Sequence, residues 1–388
     1  MNREQQIVLR RNPLFKVGIV IILCALLTSL GGAWLRPDST AFANAQFLEL
    51  SALKPMTEVR YLKVRRNEII EDGFWLSDYF IGKRSEFQQI PIDSVWCSGD
   101  YLIITRYGRV KTEKIHLLDA YYPINTDEIA LAETGTLNLI NGSKISVDIE
   151  FLRANYAEDL VVEKRFILGS DKYGRDMLSR LMSGAYISLS VGLISVFISL
   201  VLGIFLGMWA GYFRGWSDRI ILWLINVVWS VPTLLLVIAI TLVLGKGFWQ
   251  IFVAVGLTMW VEVARIVRGQ VLSIREKEFV EAGKVLGMSN LRIMVRHILP
   301  NISGPIIVIS AANFASAILL EAGLSFLGIG APPPQATWGK MISEHKAYLI
   351  TGDAYLAIIP GIAIMLLVLS FTFIGNALRD TYDEKMVV

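Results

Sequence analysis

Residues 277–300 read KEFVEAGKVLGMSNLRIMVRHILP, a charged island between two long apolar runs in a chain that is otherwise mostly oily. Phe279, Ala282, Gly283 and Leu286 fall at i, i+3, i+4 and i+7. A helix here therefore carries one apolar stripe, with Lys277, Glu281 and Lys284 beside it. Gly287 ends that helix, because glycine just past the last periodic residue takes the left-handed conformation that closes it. Ser289 is placed to cap a second helix starting near Asn290. Two short helices joined by a bend are expected, and Pro300 suits the start of the apolar run that follows, where its missing N–H costs nothing.

Working outward, hydrophobic residues make up 54% of the 388 and charged ones 18%, with a mean hydropathy of +0.52, which describes a membrane protein. The net charge of +3 is too small to argue for nucleic acid. Cys24 and Cys97 are too few and too far apart for a disulfide framework, and His116, His297 and His345 have no metal-ligand spacing, so no metal or cofactor is expected. A phosphate cradle of the form G-x-x-x-x-G-K-[ST] is also missing. Gly82-Lys83, Gly245-Lys246, Gly283-Lys284 and Gly339-Lys340 all lack the following Ser or Thr and the glycine five residues earlier.

Six spans are read from the apolar runs. The first is Val17 to Leu35, nineteen residues without a charge, and about twenty residues cross a hydrocarbon core of about 30 Å. A signal peptide competes for this run, since Ala41-Phe42-Ala43 resembles a cleavage site, but the run exceeds the usual signal core of about 7 to 15 residues. The second span lies within the uncharged stretch Leu181 to Phe213, where Gly184, Gly192, Gly203, Gly207 and Gly211 allow close helix approach. Residues 168–183 before it suit a helix lying in the interface. The others are 220–245, 247–264, 302–320 and 354–378.

Arg3, Arg10, Arg11 and Lys16, then Arg214 and Arg219, then the basic residues from Arg265 to Arg296, then Arg379 and Lys385, fall on one side. Only Lys246, Lys340 and Lys346 fall in the short loops opposite. The positive-inside rule puts both termini and the 265–300 loop in the cytoplasm.

Between Arg36 and about Phe166 the composition turns polar. Leu137 to Ile140 and Ile145 to Ile149 alternate around Asn141-Gly142, the strongest short hairpin signal. Ile92 to Trp96, Tyr101 to Arg106 and Val110 to Leu117 read as further strands. A small, mainly antiparallel β-domain is expected here, on the extracytoplasmic side. The chain divides on this reading into 1–35, the insert 36–166, and an all-α polytopic core 167–388.

Glu281-Ala282-Gly283, Gly287 and Leu299-Pro300 resemble the EAA loop of permease subunits of bacterial ABC importers. VARIVRGQVLSIREKEFVEAG, RHILPN, EAGLSFLGIG, FIGNALRD and SDKYGRDMLSR resemble the C-type permease subunit of oligopeptide and dipeptide importers. The likeness spans roughly residues 168–384 and departs from the family at Gly283, where the motif has a third Ala, at His297, where the general motif has an aliphatic residue though the peptide branch commonly has His, and at Asn226, where an acidic residue is common.

The resemblance implies an inner-membrane subunit that is not an enzyme. It would act with a second homologous permease, two ATP-hydrolysing subunits and an extracytoplasmic solute-binding protein delivering short peptides. Nickel, glutathione or sugar cargo, and a membrane-anchored binding or signalling module, are the alternatives. Glu281, Ala282, Gly283, Gly287, Leu299 and Pro300 would couple to the ATPase. Asn226, Pro232 and Glu321, polar or kinking groups within the spans, are candidates for the pathway wall, with structural packing the competing reading.

Overall fold

The computed structural model describes residue 9 and residues 11–70, 74–124, 136–245 and 247–383. Arg3, Arg10, Lys246 and Lys385, used above for orientation, lie outside the described residues. The chain divides into two compact units, residues 31–183 and residues 1–30 with 184–388. The first long helix, α1 (Pro13–Leu30), stops five residues short of the expected span end at Leu35. The paired glycines explain the difference, since Gly32 sits at φ +55, where a helix cannot continue.

The unit 31–183 is built on a five-stranded antiparallel sheet. Its elements are β1 (Thr57–Arg65), α2 (Trp75–Phe80), β2 (Phe87–Ser98), β3 (Tyr101–Arg106), β4 (Thr112–His116), α3 (Leu117–Tyr121), β5 (Thr136–Asn138), β6 (Lys144–Ser146), α4 (Ile149–Leu160) and β7 (Val161–Phe166). The strand order is β4-β3-β2-β1-β7. β1 is apolar on both faces: Leu62 and Val64 join one core with Ile90, Leu102 and Leu117, while Val59 and Tyr61 join another with Leu50 and Phe166. β2 begins five residues earlier than the expected strand and runs through Pro91, next to a break in register at Asp93.

The expected hairpin exists as β5 and β6, but its strands are shorter and its turn is shifted. Leu139 and Ser143 flank the turn, Gly142 takes φ +81, and Asn141 Oδ1 accepts from the Ser143 N–H at 3.0 Å. Residues 148 and 149 leave the strand because Asp148 caps α4, accepting from the Phe151 N–H at 3.1 Å.

No separate interfacial helix forms at 168–183. Gly169 and Gly174, both at positive φ, turn the chain, and a bridge pairs Ser170 with Asp176. Asp171 accepts from the backbone of Tyr173 and Arg175 and ion-pairs with the Arg175 side chain at 2.5 Å. Asp176 then caps α5 (Met177–Phe213) through the Ser179 N–H at 2.8 Å. Burial pushes the Asp176 carboxyl above its ordinary value.

In the other unit the remaining helices follow as α6 (Gly215–Trp229), α7 (Thr233–Leu244), α8 (Phe248–Ile274), α9 (Glu278–Val285), α10 (Asn290–Ile293), α11 (Leu299–Asn301), α12 (Ser303–Phe326), α13 (Trp338–His345), α14 (Tyr348–Thr351) and α15 (Tyr355–Asp383). Among the described residues, α1, α5, α8, α12 and α15 are long and apolar enough to cross a membrane, and α6 with α7 makes a sixth span if that pair counts as one. The expected third span is broken: α6 and α7 meet at 93°. Pro232 stands at the break, where it caps α7.

The glycines of α5 face other helices as their spacing suggested. A Cβ on Gly203, Gly207 or Gly211 would lie 2.5 to 2.8 Å from Val263, the Ala264 carbonyl and Val271 of α8. This row of missing side chains lets the two backbones approach, the usual basis of helix pairing where no hydrophobic driving force acts. α15 packs on α12 through the stacked rings of Phe314 and Phe371, 4.0 Å between centroids, and on α1, where Gly18 meets the Ser370 carbonyl.

Candidate functional site

The loop between α8 and α12 is held by its inner residues and open on its outer ones. Val280, Ile293, Met294 and Ile298 are buried in one cluster with Tyr212, Val271 and Ile302, and Gly283 is buried beside Ile293. The expected stripe faces mostly outward. Of its four residues only Gly283 faces inward; Phe279 is 42% and Leu286 74% exposed, and Ala282 is exposed. Val280 sets the helix rotation, because its packing against Ile293 and Val271 turns the Phe279 side outward. Val285, Leu291 and Val295 are exposed as well. Glu281, Lys284, Arg292 and Arg296 lie among them, all exposed.

The bend has the expected chemistry. Gly287 is at φ +70; its N–H donates to the Lys284 carbonyl and the Met288 N–H to the Gly283 carbonyl, both at 3.0 Å. Those two bonds satisfy carbonyls that the end of α9 would leave open. Ser289 caps α10 through the Arg292 N–H at 3.4 Å. The chain then widens into a π-turn over Met294–Ile298 before α11. Pro300 accounts for it: its ring offers no N–H to the carbonyl four residues back and crowds that turn. Pro300 thus lies in α11, before a break at Ile302, and not at the head of the span. Leu299 is half-buried beside it.

Three polar ties fix the loop's base. The Tyr212 hydroxyl donates to Asn290 Oδ1 at 2.9 Å, Arg275 donates to the Tyr212 carbonyl at 2.6 Å, and Arg268 grips Asp218 of α6 through two bonds of 2.5 and 2.8 Å.

The three span candidates separate. Asn226 and Pro232 are exposed along α6 and at the break before α7. Glu321 is only 1% exposed; Ser325 donates to it at 2.6 Å and Thr337, the cap of α13, donates to Ser325 at 3.0 Å. Its carboxylate thus ties α12 to the head of α13.

A residue the sequence reading passed over is more open. Glu262, near the middle of α8, lines a cleft of about 320 Å³ together with Trp229, Thr233, Thr258, Met259 and Ser316, and Arg265 lies 3.6 Å over the Trp229 ring. An ionisable residue inside an apolar helix was the signal available in the sequence.

The family of binding-protein-dependent transport system inner membrane components matches residues 203–387. The dipeptide transport system permease protein DppC of Alkalihalophilus pseudofirmus is 42% identical over 218 residues, 56% of this chain and 71% of that one. This chain belongs to that permease family. The glutathione transport system permease protein GsiD of Pectobacterium atrosepticum is 38% identical over 219 residues, covering 56% and 72%. A solved chain described as inward facing conformations of the MetNI methionine ABC transporter aligns at 19% identity with a TM-score of 0.45, over 53% of this chain and 97% of that one. The protein is a multi-pass permease subunit of an ABC importer, a subunit type that is not itself an enzyme. Family membership implies another permease, an ATPase and a binding protein as partners.

Proposed function

We propose that this permease carries short peptides, that both its termini and its 265–300 loop face the cytoplasm, and that α9 and α10 form the joint with an ATP-hydrolysing subunit. The observation that carries the coupling reading is the loop's split character. Val280, Gly283 and Ile293 are buried and hold its shape, while Phe279, Val285, Leu286 and Leu291 stand exposed among charges. Apolar side chains left in water on a rigid element mark a surface meant for a partner. Glu281 and Ala282 belong to that outer face; Gly287, Leu299 and Pro300 shape it.

Peptide cargo rests on the dipeptide permease among the relatives, and the relative named for glutathione supports the second reading, glutathione cargo. Asn226, Pro232 and Glu262 are assigned to the pathway side, and Glu321 to structural support. The insert is assigned to the extracytoplasmic face, two ATPase copies and a homologous second permease complete the complex, and the membrane is the bacterial inner one. The test is reconstitution of the whole importer with trialanine as cargo. The Phe279→Ser/Leu286→Ser variant should co-purify with the second permease but lose the ATPase and all uptake. Wild-type uptake by that variant would overturn the coupling assignment, and no trialanine uptake by the unaltered complex would overturn the cargo.

A further inference from the structure

α2 is a six-residue helix, and none of its side chains is buried. Phe74, which precedes it, is 66% exposed, Trp75 68%, Leu76 38% and Tyr79 42%. Trp34 and Leu35, on the stretch α2 packs against, are 86% and 51% exposed. The helix is nonetheless tightly attached by its backbone. A Cβ on Gly32 would lie 2.3 Å from the Tyr79 carbonyl, and one on Gly82 would lie 2.4 Å from the Ser39 carbonyl. The Arg36 guanidinium donates to the Ile81 carbonyl at 2.8 Å and the Phe42 N–H does so at the same distance. An apolar, aromatic-rich face is thus held out from the sheet unit by residues 32–42.

Chain continuity says what covers it. Residues 32–36 begin two residues after Leu30, the last residue of α1. From Lys16, the last charge before the apolar run, only Val17 to Leu30 are helical, which at 1.5 Å per residue is about 21 Å of a hydrocarbon core about 30 Å thick. Gly31 to Leu35 are uncharged but not α-helical, and irregular backbone is tolerated at that depth only when protein covers it. Gly32 and Ala33 are buried, with α2 lying over Gly32. Tryptophan and tyrosine are the side chains that favour the boundary between acyl chains and headgroups.

We propose that α2 with Trp34 and Leu35 is a lipid-immersed foot, by which the inserted unit rests in the boundary layer of the membrane. The occupant of this face is lipid, not a protein subunit. The inference does not depend on the cargo or on which side the insert faces.

The test uses the full chain in lipid nanodiscs, with Cys24 and Cys97 replaced by Ala and a fluorophore attached at Trp75→Cys, at Trp34→Cys, or at Val110→Cys, a site 97% exposed in the β3–β4 turn. Lipids carrying a nitroxide high on the acyl chain should quench the first two several-fold more than the third, and aqueous iodide should do the reverse. Equal iodide quenching at all three sites would overturn the proposal. Shielding of the first two from both quenchers would also overturn it, in favour of a protein partner. The Trp34→Cys site guards against a local loss of α2 caused by the change at Trp75.

Discussion

The Tyr212 hydroxyl, at the end of α5, donates a 2.9 Å hydrogen bond to Asn290 Oδ1, at the head of α10. Nearly eighty residues of chain separate the two, so this bond links the span that pairs with α8 to the loop proposed to meet the ATPase. Tyr212→Phe keeps the ring in its cluster and removes the bond alone, a change of about 1 kcal/mol. Cargo-stimulated ATP hydrolysis by the reconstituted importer should fall roughly five-fold, with permease expression unchanged. Asn290→Ala should match it, and the double variant should be no worse than either single one, because the two changes remove one interaction.

Gly287 offers a separation of space from backbone strain. Nothing lies within 4 Å of a Cβ built there, yet its φ is +70. Asparagine tolerates this region and β-branched residues do not. Gly287→Asn should retain most uptake, whereas Gly287→Val should abolish uptake with the spans still inserted, at a cost above about 1 kcal/mol. Uptake at equal permease content checks this, and equal behaviour of the two variants would remove the bend as the cause.

Gly207→Val attacks a different level. Its Cβ would lie 2.6 Å from the Ala264 carbonyl, a backbone atom that cannot swing aside. The α5–α8 pair should separate, costing more than the 1 to 3 kcal/mol typical of overpacking, and the complex should be lost on solubilisation. Gly283→Ala makes the contrast: its methyl would meet Ile293 at an ordinary 3.6 Å, and the gain in helix propensity of up to about 1 kcal/mol should raise the melting temperature. Calorimetry of the two purified variants distinguishes these outcomes.

His116 carries a pH dependence for the sheet unit. Its Nδ1 accepts from the Leu118 N–H at 3.3 Å and so caps α3; burial pushes its pKa below the ordinary value. The unfolded chain therefore binds a proton that the folded one resists. The contribution is complete above the ordinary histidine pKa of about 6.5 and declines as the pH falls from there toward the lowered folded value. Thermal melts at about pH 5 and pH 8 should differ, and His116→Asn, which keeps a capping oxygen, should narrow the difference.

Much of this was legible in the sequence because the signals were local. The Gly287 cap, Ser289, the glycine row of α5 and the strands β3 and β4 each depend on neighbours within a few residues. What was missed depends on tertiary packing. β1 escaped detection because Val59 and Tyr61 serve one core and Leu62 and Val64 another, which breaks the alternation of a half-buried strand. Pro91 disguised the first half of β2. The direction of the stripe on α9 was not legible, because apolar periodicity cannot tell a face packed at home from one left for a partner; Val280, one residue off the stripe, is buried and sets it. Glu262 showed in the sequence only as a charge inside an apolar run; the cleft it lines exists only once α6, α7, α8 and α12 are assembled.

The strand order of the sheet sets a clock on synthesis. β2, β3 and β4 follow β1 with only α2 between and can pair as they emerge, but the second edge of β1 belongs to β7, which ends at Phe166. Roughly a hundred residues separate these two partners, and at ribosomal rates of about 5 to 20 residues per second β1 waits on the order of 5 to 20 seconds with one edge open. Its flanks are apolar on both faces throughout that interval, so the nascent insert is most exposed to misassociation just before α5 is made.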